Sequence, residues 1–486
     1  MHTLITTILV KKCRSGRMRE RNMINEKIVK EFKIFRNKLI EEIYLQQYME
    51  WLALTTNSSS DILSDIIVAS TERVKKLECS QKFRNILDEI INNPINFDSD
   101  IYCEAKIINK RVKDNTKIYS RQLCNALLNV KRNYILAKQK NDFQIVKPFL
   151  QTFIKIKLKE EGISNYESIL SKKIVEISSW QVTELFKSIK YNIPLLISTE
   201  EKVKYTNCSK EDMDKILDYL KDLVNLNERS LEIYKGDESF MISFGTNDVK
   251  ISLNYKEKNM FEFITKSCHE LGHALYEQGN NKNHNRTFLS GAASTTMHEA
   301  IAIFYEKFIG KNNLLQTFIS NELLDKPECF YFTPAPTPIR INASEKSYPI
   351  HILIRYEIEK GLLDGELKVD EIEKIWKEKY KEYLGIDIKN SNEGILQDPH
   401  WFNDKFAYFP SYITGRAYAA QLKNEIDKFM AIDEMIKIND LSSLNNWLKE
   451  NIYQYGAQYG PRELLKKSTK EELNCNYYLD SLHLER

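Results

Sequence analysis

The chain of 486 residues is poor in glycine and proline, with 15 and 11 residues respectively. Because these two residues interrupt regular structure, their scarcity, with abundant lysine, glutamate, isoleucine and leucine, favours a helical fold. No apolar run approaches the ~20 residues that a membrane-spanning helix needs. The net charge is only +3 and charges of both signs are interspersed, so we expect no nucleic acid and no membrane among its partners.

The eight cysteines are scattered along the chain, and no Cys-x-x-Cys pair occurs. In a protein of this size, such spacing is typical of reduced thiols rather than of a disulfide framework. We therefore expect a cytoplasmic protein.

The first 22 residues differ from the rest because a short apolar stretch precedes four closely spaced arginines. The stretch is too short for a signal peptide, and its positive charges lie on the wrong side. The alternatives are a transit peptide and a disordered extension upstream of Met23, of which we favour the extension. The expected organisation is an extension over residues 1–22 and a single helical domain over 23–486, with two lobes around a cleft.

Apolar residues recur at three- and four-residue intervals over most of the chain, which predicts helices. The first covers residues 25–52, where Ile28, Phe32, Phe35 and Leu39 share one face. The other helical patterns cover residues 61–79, 81–92, 98–139, 142–161, 166–196 (two helices closed by Pro194), 210–228, 259–278, 294–310, 348–363, 369–382, 412–430 and 441–455.

Residues 230–256 do not follow the helical pattern. Two alternating segments, 240–244 and 249–255, flank a turn at 245–248 and predict a β-hairpin directly before the helix at 259–278. The predicted fold class is therefore mainly α, a multi-helix fold around a deep cleft with a small antiparallel β-sheet on the cleft wall.

The helix at 259–278 carries His269 and His273, which lie one turn apart on the same face. Their imidazoles can converge on one metal ion, and Glu270 can reach a water held on that ion. This is the His-Glu-x-x-His pattern of zinc hydrolases, in which the glutamate is the general base. Gly272 costs this helix about 1 kcal/mol relative to alanine, which indicates close approach by another backbone or a substrate.

A catalytic zinc site usually has three protein ligands and an open position for water. Glu299 is the expected third ligand, since a second helix capped at Ser294 or Thr295 carries it. With a rise of about 1.5 Å per residue, His273 and Glu299 lie at similar heights above the intervening loop. The alternative is a hydrogen-bonded histidine pair with Glu299 in solvent. His298 lies off the face of Glu299, so we expect it to pack against neighbours or to orient a ligand.

Several motifs, in the same order along the chain, resemble the carboxypeptidase Taq family of zinc metallocarboxypeptidases. The run 269–279 followed by 298–299 matches the metal-binding segment of that family, and 394–401 is similar to its Gly-x-x-Gln-Asp-x-His-Trp motif. Shorter matches lie at residues 339–340, 348–351, 408–412, 418–421 and 447–464. The resemblance extends over nearly everything after Met23 and is strongest from residue 230.

The resemblance implies a zinc-dependent carboxypeptidase of the gluzincin type that releases C-terminal residues from peptides with broad specificity. Peptides are the expected substrates, and the family resemblance implies a homodimer. One Zn²⁺ per chain is the expected cofactor, with Co²⁺ or Mn²⁺ as substitutes.

Two residues in the matched motifs, His400 and Tyr408, are the expected donors to the tetrahedral oxyanion. Their spacing is similar to that of a donor pair in related gluzincin peptidyl dipeptidases. The alternative for Tyr408 is a core aromatic, and for His400 a histidine that orients a neighbouring ligand.

An exopeptidase must also hold the free carboxylate of its substrate, and the planar fork of arginine suits this role. Arg340 is the first candidate for this role, because Ile339-Arg340 matches an Ile-Arg motif of the family. Lys250, where the family usually has arginine, supplies a point charge, and Arg416 is the third candidate. An ordinary salt bridge is the alternative for each.

The chain departs from the family pattern at 238–240, Lys250, Ser344 and 300–301, while the metal set is intact. We expect these departures to change substrate affinity and specificity more than hydrolysis. Two other functions stay open. One is an oligopeptidase or dipeptidyl carboxypeptidase of the same type, and the other is a zinc-retaining peptide-binding protein with weak or no turnover. The predicted hairpin either pairs with an extended substrate or is purely structural.

Overall fold

The computed structural model describes residues 2–55, 61–115, 120–197, 200–334 and 336–483. Within these ranges the chain forms nineteen α-helices and five short strands, which confirms the mainly helical fold class. The helices are α1 (His2–Thr55), α2 (Asp61–Glu78), α3 (Gln81–Asn92), α4 (Ser99–Asn115), α5 (Arg121–Lys140), α6 (Lys147–Glu161), α7 (Tyr166–Lys173), α8 (Ser179–Leu196), α9 (Lys210–Leu223), α10 (Met260–Gly279), α11 (Thr295–Phe304), α12 (Asn313–Thr317), α13 (Tyr348–Leu363), α14 (Ile372–Leu384), α15 (Phe409–Ile426), α16 (Ile432–Lys437), α17 (Ser442–Asn451), α18 (Pro461–Thr469) and α19 (Asn476–His483). The strands are β1 (Glu200–Tyr205), β2 (Leu231–Gly236), β3 (Phe240–Ser243), β4 (Val249–Asn254) and β5 (Cys329–Pro334).

The helices differ from the sequence-based predictions in several places, and the short helices α12, α16, α18 and α19 were not predicted. The pattern over 98–139 is divided into α4 and α5. Pro194 lies inside α8 and does not close it, because the helix continues to Leu196. Helix α1 begins at His2, well before the predicted start at residue 25. The assignment of residues 1–22 as an extension outside the domain stays a prediction.

The predicted hairpin is present as β3 and β4, but it belongs to a larger sheet. Strand β2 pairs in parallel with β4, so the strand order is β2-β4-β3 and the sheet is mixed rather than wholly antiparallel. The central position explains why Val249, Ile251 and Leu253 of β4 are all buried. A second, two-stranded antiparallel sheet of β1 and β5 was not predicted, because the polar sequence of β1 has no alternating apolar face.

The described residues form two hydrophobic cores. The smaller one lies among α1 to α4 and includes Phe32, Leu39, Phe83 and Ile108. The larger one joins α5 to α19 with the three-stranded sheet. A cleft of about 1010 Å³ lies between α4 on one side and the start of α18 on the other, and its floor is formed by the residues that precede α11.

Helices α10 and α11 pack closely because no side chain separates them at Gly272. A Cβ atom at this position would lie 3.0 Å from Cδ2 of Tyr305 and 3.1 Å from Cα of Ala302. The predicted close backbone approach is therefore present, and its partner is the end of α11. The two helices begin at side-chain caps, since Asn259 accepts a hydrogen bond from the Phe261 amide at 3.2 Å and Ser294 caps α11 in the same way.

In the described part of the chain, no helix combines the length and the apolar character needed to cross a membrane.

We predict that Gly272→Ala destabilises the protein, although alanine is the better helix former by about 1 kcal/mol. The added methyl group has to displace backbone and an aromatic ring, and overpacking of this kind costs about 1–3 kcal/mol. Urea unfolding of the metal-free protein should therefore show a lower midpoint.

The matched control is Gly415→Ala in α15, where the nearest atom to an added Cβ is the Thr296 carbonyl oxygen at 3.6 Å. This is an ordinary van der Waals contact, so alanine keeps its advantage in helix propensity of up to about 1 kcal/mol. The urea midpoint of this variant should therefore equal or exceed that of the wild type. Equal midpoints for the two variants would show that the approach of α11 does not depend on Gly272.

Candidate functional site

Three metal-ligating side chains converge between α10 and α11. The Nε2 atom of His269 lies 3.7 Å from Oε1 of Glu299, and the Nε2 atom of His273 lies 3.7 Å from Oε2 of the same carboxylate. All three ligand atoms lie within 4.8 Å of one another. Tetrahedral donors at about 2.0–2.2 Å from a zinc ion lie roughly 3.4 Å apart, so this arrangement fits one divalent cation.

The surroundings of Glu270 suit a general base. Its side chain is buried, and within the described residues its Oε2 atom has no hydrogen-bond partner. Burial raises the pKa of this carboxyl to about 7, against the opposing effect of His269. A carboxylate with this pKa can both take and return a proton near neutral pH.

A third carboxylate, Glu306, lies behind the first ligand. Its Oε2 atom is 2.9 Å from Nδ1 of His269, so it fixes the ring with Nε2 directed toward Glu299. Although burial opposes protonation of His269, the hydrogen bond to Glu306 and the charge of Glu299 raise the pKa of the imidazole to about 9. Three carboxylates around two imidazoles give the cluster an excess of negative charge, which a divalent cation would neutralise.

The sequence analysis missed Glu306, although a signal for it exists. The residue lies seven positions after Glu299, which is two helical turns along the same face. Its backbone belongs to a π-helical segment, Tyr305–Gly310, which continues α11. Such segments occur frequently at functional sites.

His298 supports the second ligand from the other side. Its ring centroid lies 4.3 Å from that of His273, and its Nε2 atom is 3.2 Å from a carboxylate oxygen of Glu277 on α10. It packs beside His273 and is outside the group of side chains that could hold a metal ion, and an orienting role for it stays a prediction.

Glu299 opens onto a cavity of about 590 Å³, and its side chain is 48% exposed there. Aromatic and cationic side chains also line this cavity. They include Tyr348, Tyr408, Tyr412, Lys405 and Arg416.

Of the two predicted oxyanion donors, Tyr408 lines this cavity and His400 lies behind the wall. His400 is only 6% exposed, and its Nε2 atom is 3.1 Å from the hydroxyl of Tyr412. On its other side, Nδ1 lies 3.5 Å from Asp398. Contacts therefore run from Asp398 through His400 to Tyr412, and the side chain of Tyr412 lines the cavity together with Tyr408.

Tyr412 is a second residue that the sequence analysis missed. It is the last residue of the matched segment 408–412 and lies one helical turn after Tyr408. Burial raises the pKa of its hydroxyl to about 12, so this group remains a donor over the whole neutral range.

The three candidates for the substrate carboxylate are placed differently. Arg340 is buried, and its fork faces Asp398, with Nη2 at 2.7 Å from Oδ1. Lys250 lies on β4 and pairs with Asp248 at 3.1 Å. Arg416 lines the cavity, but its Nη1 atom contacts both oxygens of Glu345 at 3.1 Å. Only Arg416 of the three shares the cavity with Glu299.

Comparison with known proteins identifies the family of this chain. The profile described as carboxypeptidase Taq (M32) metallopeptidase matches residues 39–485. The chain belongs to this family. The resemblance inferred from the sequence motifs is thereby confirmed.

Individual relatives are also named carboxypeptidases. Carboxypeptidase 1 of Bacillus subtilis is 29% identical over 469 residues, which cover 89% of this chain and 93% of that protein. Thermostable carboxypeptidase 1 of Pyrococcus furiosus is 32% identical over 254 residues, about half of each chain. A solved structure of Pyrococcus furiosus carboxypeptidase, described as an apo-Mg form, has a TM-score of 0.81 at 22% identity and covers 94% of this chain and 98% of its own.

We predict that Glu306→Gln weakens metal binding about 10- to 100-fold, as is typical for a residue that orients a metal-bound histidine. The glutamine removes the negative charge that makes the His269 ring more basic. Competition with a chromogenic chelator measures the affinity directly, without an activity assay. Glu262→Gln is the control, because Glu262 is an exposed carboxylate on α10, the helix that carries His269. An unchanged affinity in Glu306→Gln would rule out this role.

We predict that Tyr412→Phe lowers kcat about 10²- to 10³-fold, the usual effect of removing one oxyanion donor. Metal content and the circular dichroism spectrum should not change, since the ring remains. Tyr191→Phe controls for the loss of a hydroxyl at an exposed position on α8. If Tyr412→Phe keeps full kcat while Tyr408→Phe loses it, the donor is Tyr408 alone.

Proposed function

We propose that this protein is a zinc-dependent carboxypeptidase that hydrolyses the C-terminal peptide bond of peptides with broad specificity. The observation that carries the proposal is the convergence of His269, His273 and Glu299 beside the buried carboxylate of Glu270. Membership in a metallopeptidase family supports the assignment. Zinc is the metal favoured by two imidazoles and one carboxylate with tetrahedral spacing.

A bound divalent cation supplies a Lewis acid that lowers the pKa of a coordinated water and polarises the scissile carbonyl. Glu270 accepts a proton from the attacking water through its unpartnered oxygen. The same carboxyl, with its pKa raised to about 7, then delivers the proton to the leaving amine. Glu306 holds His269 in place throughout.

The aromatic wall of the cavity provides the donors for the oxyanion. Tyr408 and Tyr412 both present hydroxyl groups there, and His400 aligns the hydroxyl of Tyr412. In this proposal His400 acts through Tyr412, whereas Tyr408 donates directly. Because His400 holds the hydroxyl of Tyr412, little reorganisation of this donor accompanies the change of charge during the reaction.

Among the predicted carboxylate binders, Arg416 has the strongest structural support because it lines the same cavity as Glu299. Arg340 instead stabilises this wall. Its guanidinium stacks 5.1 Å from the ring centroid of Tyr412 and pairs with Asp398. Lys250 lies in the sheet and has carboxylate partners on β2 and in the preceding turn.

Strand β3 is a candidate for main-chain pairing with the substrate. It is an edge strand, and Met241, Ile242 and Ser243 line a smaller cavity of about 340 Å³ together with Glu277 and His298. An extended peptide that adds to this edge would run past the metal ligands.

Two further properties complete the proposal. We place the protein in the cytoplasm, because the seven cysteines from Cys79 to Cys475 are all free thiols. We also expect a homodimer, as the family resemblance implies.

The test is the variant Glu270→Gln, which should reduce kcat on blocked dipeptides such as Z-Ala-Ala by about 10²- to 10⁴-fold. One equivalent of zinc should remain bound, because Glu270 is not a ligand. Chelation should abolish the activity of the wild-type protein, and zinc should restore it. Glu262→Gln serves again as the control for removing a carboxylate from α10.

Product mapping on one long peptide separates the alternatives. Stepwise loss of single C-terminal residues supports the carboxypeptidase, whereas dipeptide release or internal cleavage supports the related peptidase types. Full activity of Glu270→Gln would exclude the proposed mechanism. Stoichiometric zinc with no hydrolysis of any peptide would instead indicate a binding protein.

A further inference from the structure

The segment between His400 and Tyr408 is held rigidly in an unusual conformation. Asp404 and Ala407 have φ angles of 61° and 56°, which L-residues adopt rarely. Lys157 pairs with the Asp404 carboxylate at 2.8 Å, and Lys173 donates to the Asp404 carbonyl oxygen at 3.2 Å.

A buried carboxylate on α13 holds the rest of this segment. Glu359 is fully buried, accepts a hydrogen bond from the indole of Trp401 at 2.7 Å, and accepts a second from the amide of Ala407. Its partners lie at the two ends of the segment, so one side chain fixes the course of the backbone between them. Side chains within the segment consequently have defined positions relative to the cavity.

Lys405 lies in this segment and extends to the cavity wall. Its side chain is exposed and lines the cavity that contains Glu299. Its Nζ atom lies 5.5 Å from the ring centroid of Tyr408, a distance at which the ring attracts the ammonium group. The charge therefore lies next to one of the proposed oxyanion donors.

Lys405 differs from the other cations of this cavity in having no acceptor of its own. Arg416 is paired with both oxygens of Glu345, and Lys173 is bound to the carbonyl of Asp404. Among the described residues, no carboxylate lies within 4.0 Å of the Lys405 ammonium. The acids on the same wall are engaged, since Asp404 pairs with Lys157 and Glu176 accepts the amide of Val175 at 3.0 Å.

We propose that Lys405 binds a carboxylate group of the peptide substrate inside the catalytic cavity. The proposal rests on the proposed peptidase function and adds a binding residue to it. An ammonium group that the protein leaves unpaired in a cleft for peptides attracts an anion, and carboxylates are the anions that peptides carry. The carboxylate has two sources, the free C-terminus of every substrate and the side chain of an aspartate or glutamate near the scissile bond.

The test compares steady-state kinetics of the wild type with Lys405→Gln and Lys405→Arg. We expect Lys405→Gln to raise KM about three- to tenfold with kcat nearly unchanged, because the interaction is made with ground state and transition state alike. Lys405→Arg should restore KM to within about twofold, since it keeps the charge. Added salt should raise KM for the wild type and have a smaller effect on Lys405→Gln.

Lys389→Gln is the matched control. Lys389 is exposed on the loop after α14, and its ammonium has no carboxylate within 4.0 Å among the described residues. Its removal changes the net charge by the same amount at a site outside the cavity. Kinetic constants equal to those of the wild type would show that the effect of Lys405→Gln is local.

A panel of blocked dipeptides identifies the source of the carboxylate. Z-Ala-Ala, Z-Ala-Gln and Z-Ala-Glu all carry the terminal carboxylate, but only the last carries an acidic side chain. A KM increase for all three assigns Lys405 to the C-terminus. An increase for Z-Ala-Glu alone assigns it to an acidic residue and predicts a preference of the wild type for such substrates.

Binding measurements separate this inference from the catalytic proposal. Peptide affinity is measured by calorimetry on the Glu270→Gln variant with and without Lys405→Gln. Weaker binding in the double variant supports the role of Lys405 even where turnover is absent. If KM and affinity stay within about twofold for every peptide, the inference is wrong while the carboxypeptidase assignment stands. If the wild type hydrolyses no peptide, the proposed function fails independently.

Discussion

The structure of the site depends on holding three carboxylates and two imidazoles together between two helices. Glu270, Glu299 and Glu306 repel one another, and burial of the first makes this repulsion harder to screen. Two features keep the groups in place in the described part of the chain. The helices pack closely at Gly272. Although burial opposes ionisation of Glu306, its hydrogen bond with His269 lowers its pKa and so stabilises its negative charge. A cation between the helices would offset the remaining negative charge, so metal binding and helix packing stabilise the same arrangement.

One imidazole of the proposed metal centre, His269, contacts a supporting acid directly, whereas Nδ1 of His273 has no hydrogen-bond partner among the described residues. Glu306, after α11, contacts His269 on α10, and Glu277 on α10 contacts His298 on α11, whose ring packs against His273. The supports therefore cross from one helix to the other in both directions. A shift of α11 along α10 would break both contacts together.

Local periodicity explains what the sequence could predict. His269, His273 and Glu270 follow from one helical turn, and Glu299 follows from a capped second helix of matching height. The same periodicity also extends to Glu306, seven residues beyond Glu299. The parallel pairing of β2 with β4 could not be derived in this way, because strands distant in sequence pair through tertiary contacts that no local pattern encodes. The β1–β5 pair is a further case, since its partners are separated by more than one hundred residues.

Side-chain roles in the cleft were hardest to predict because they depend on which charges the protein neutralises internally. Arg340 and Arg355 both form ion pairs with Asp398, so two arginines share one carboxylate. Although burial opposes its ionisation, Arg355 and its other partners hold the pKa of Asp398 well below the usual value.

The arginines at Asp398 therefore act as part of the wall. Arg355 stacks 4.6 Å from the ring centroid of Trp376, and Arg340 stacks on Tyr412. Ion pairs buried in this way fix aromatic rings. Because two guanidinium groups share one carboxylate, the three side chains together keep one excess positive charge behind Tyr412. The charge that a substrate meets is consequently set by groups at the cavity surface together with this one buried positive charge, and it cannot be read from the number of arginines in the matched motifs. An arginine at a matched motif position is therefore insufficient evidence for substrate binding unless its counter-ions are known.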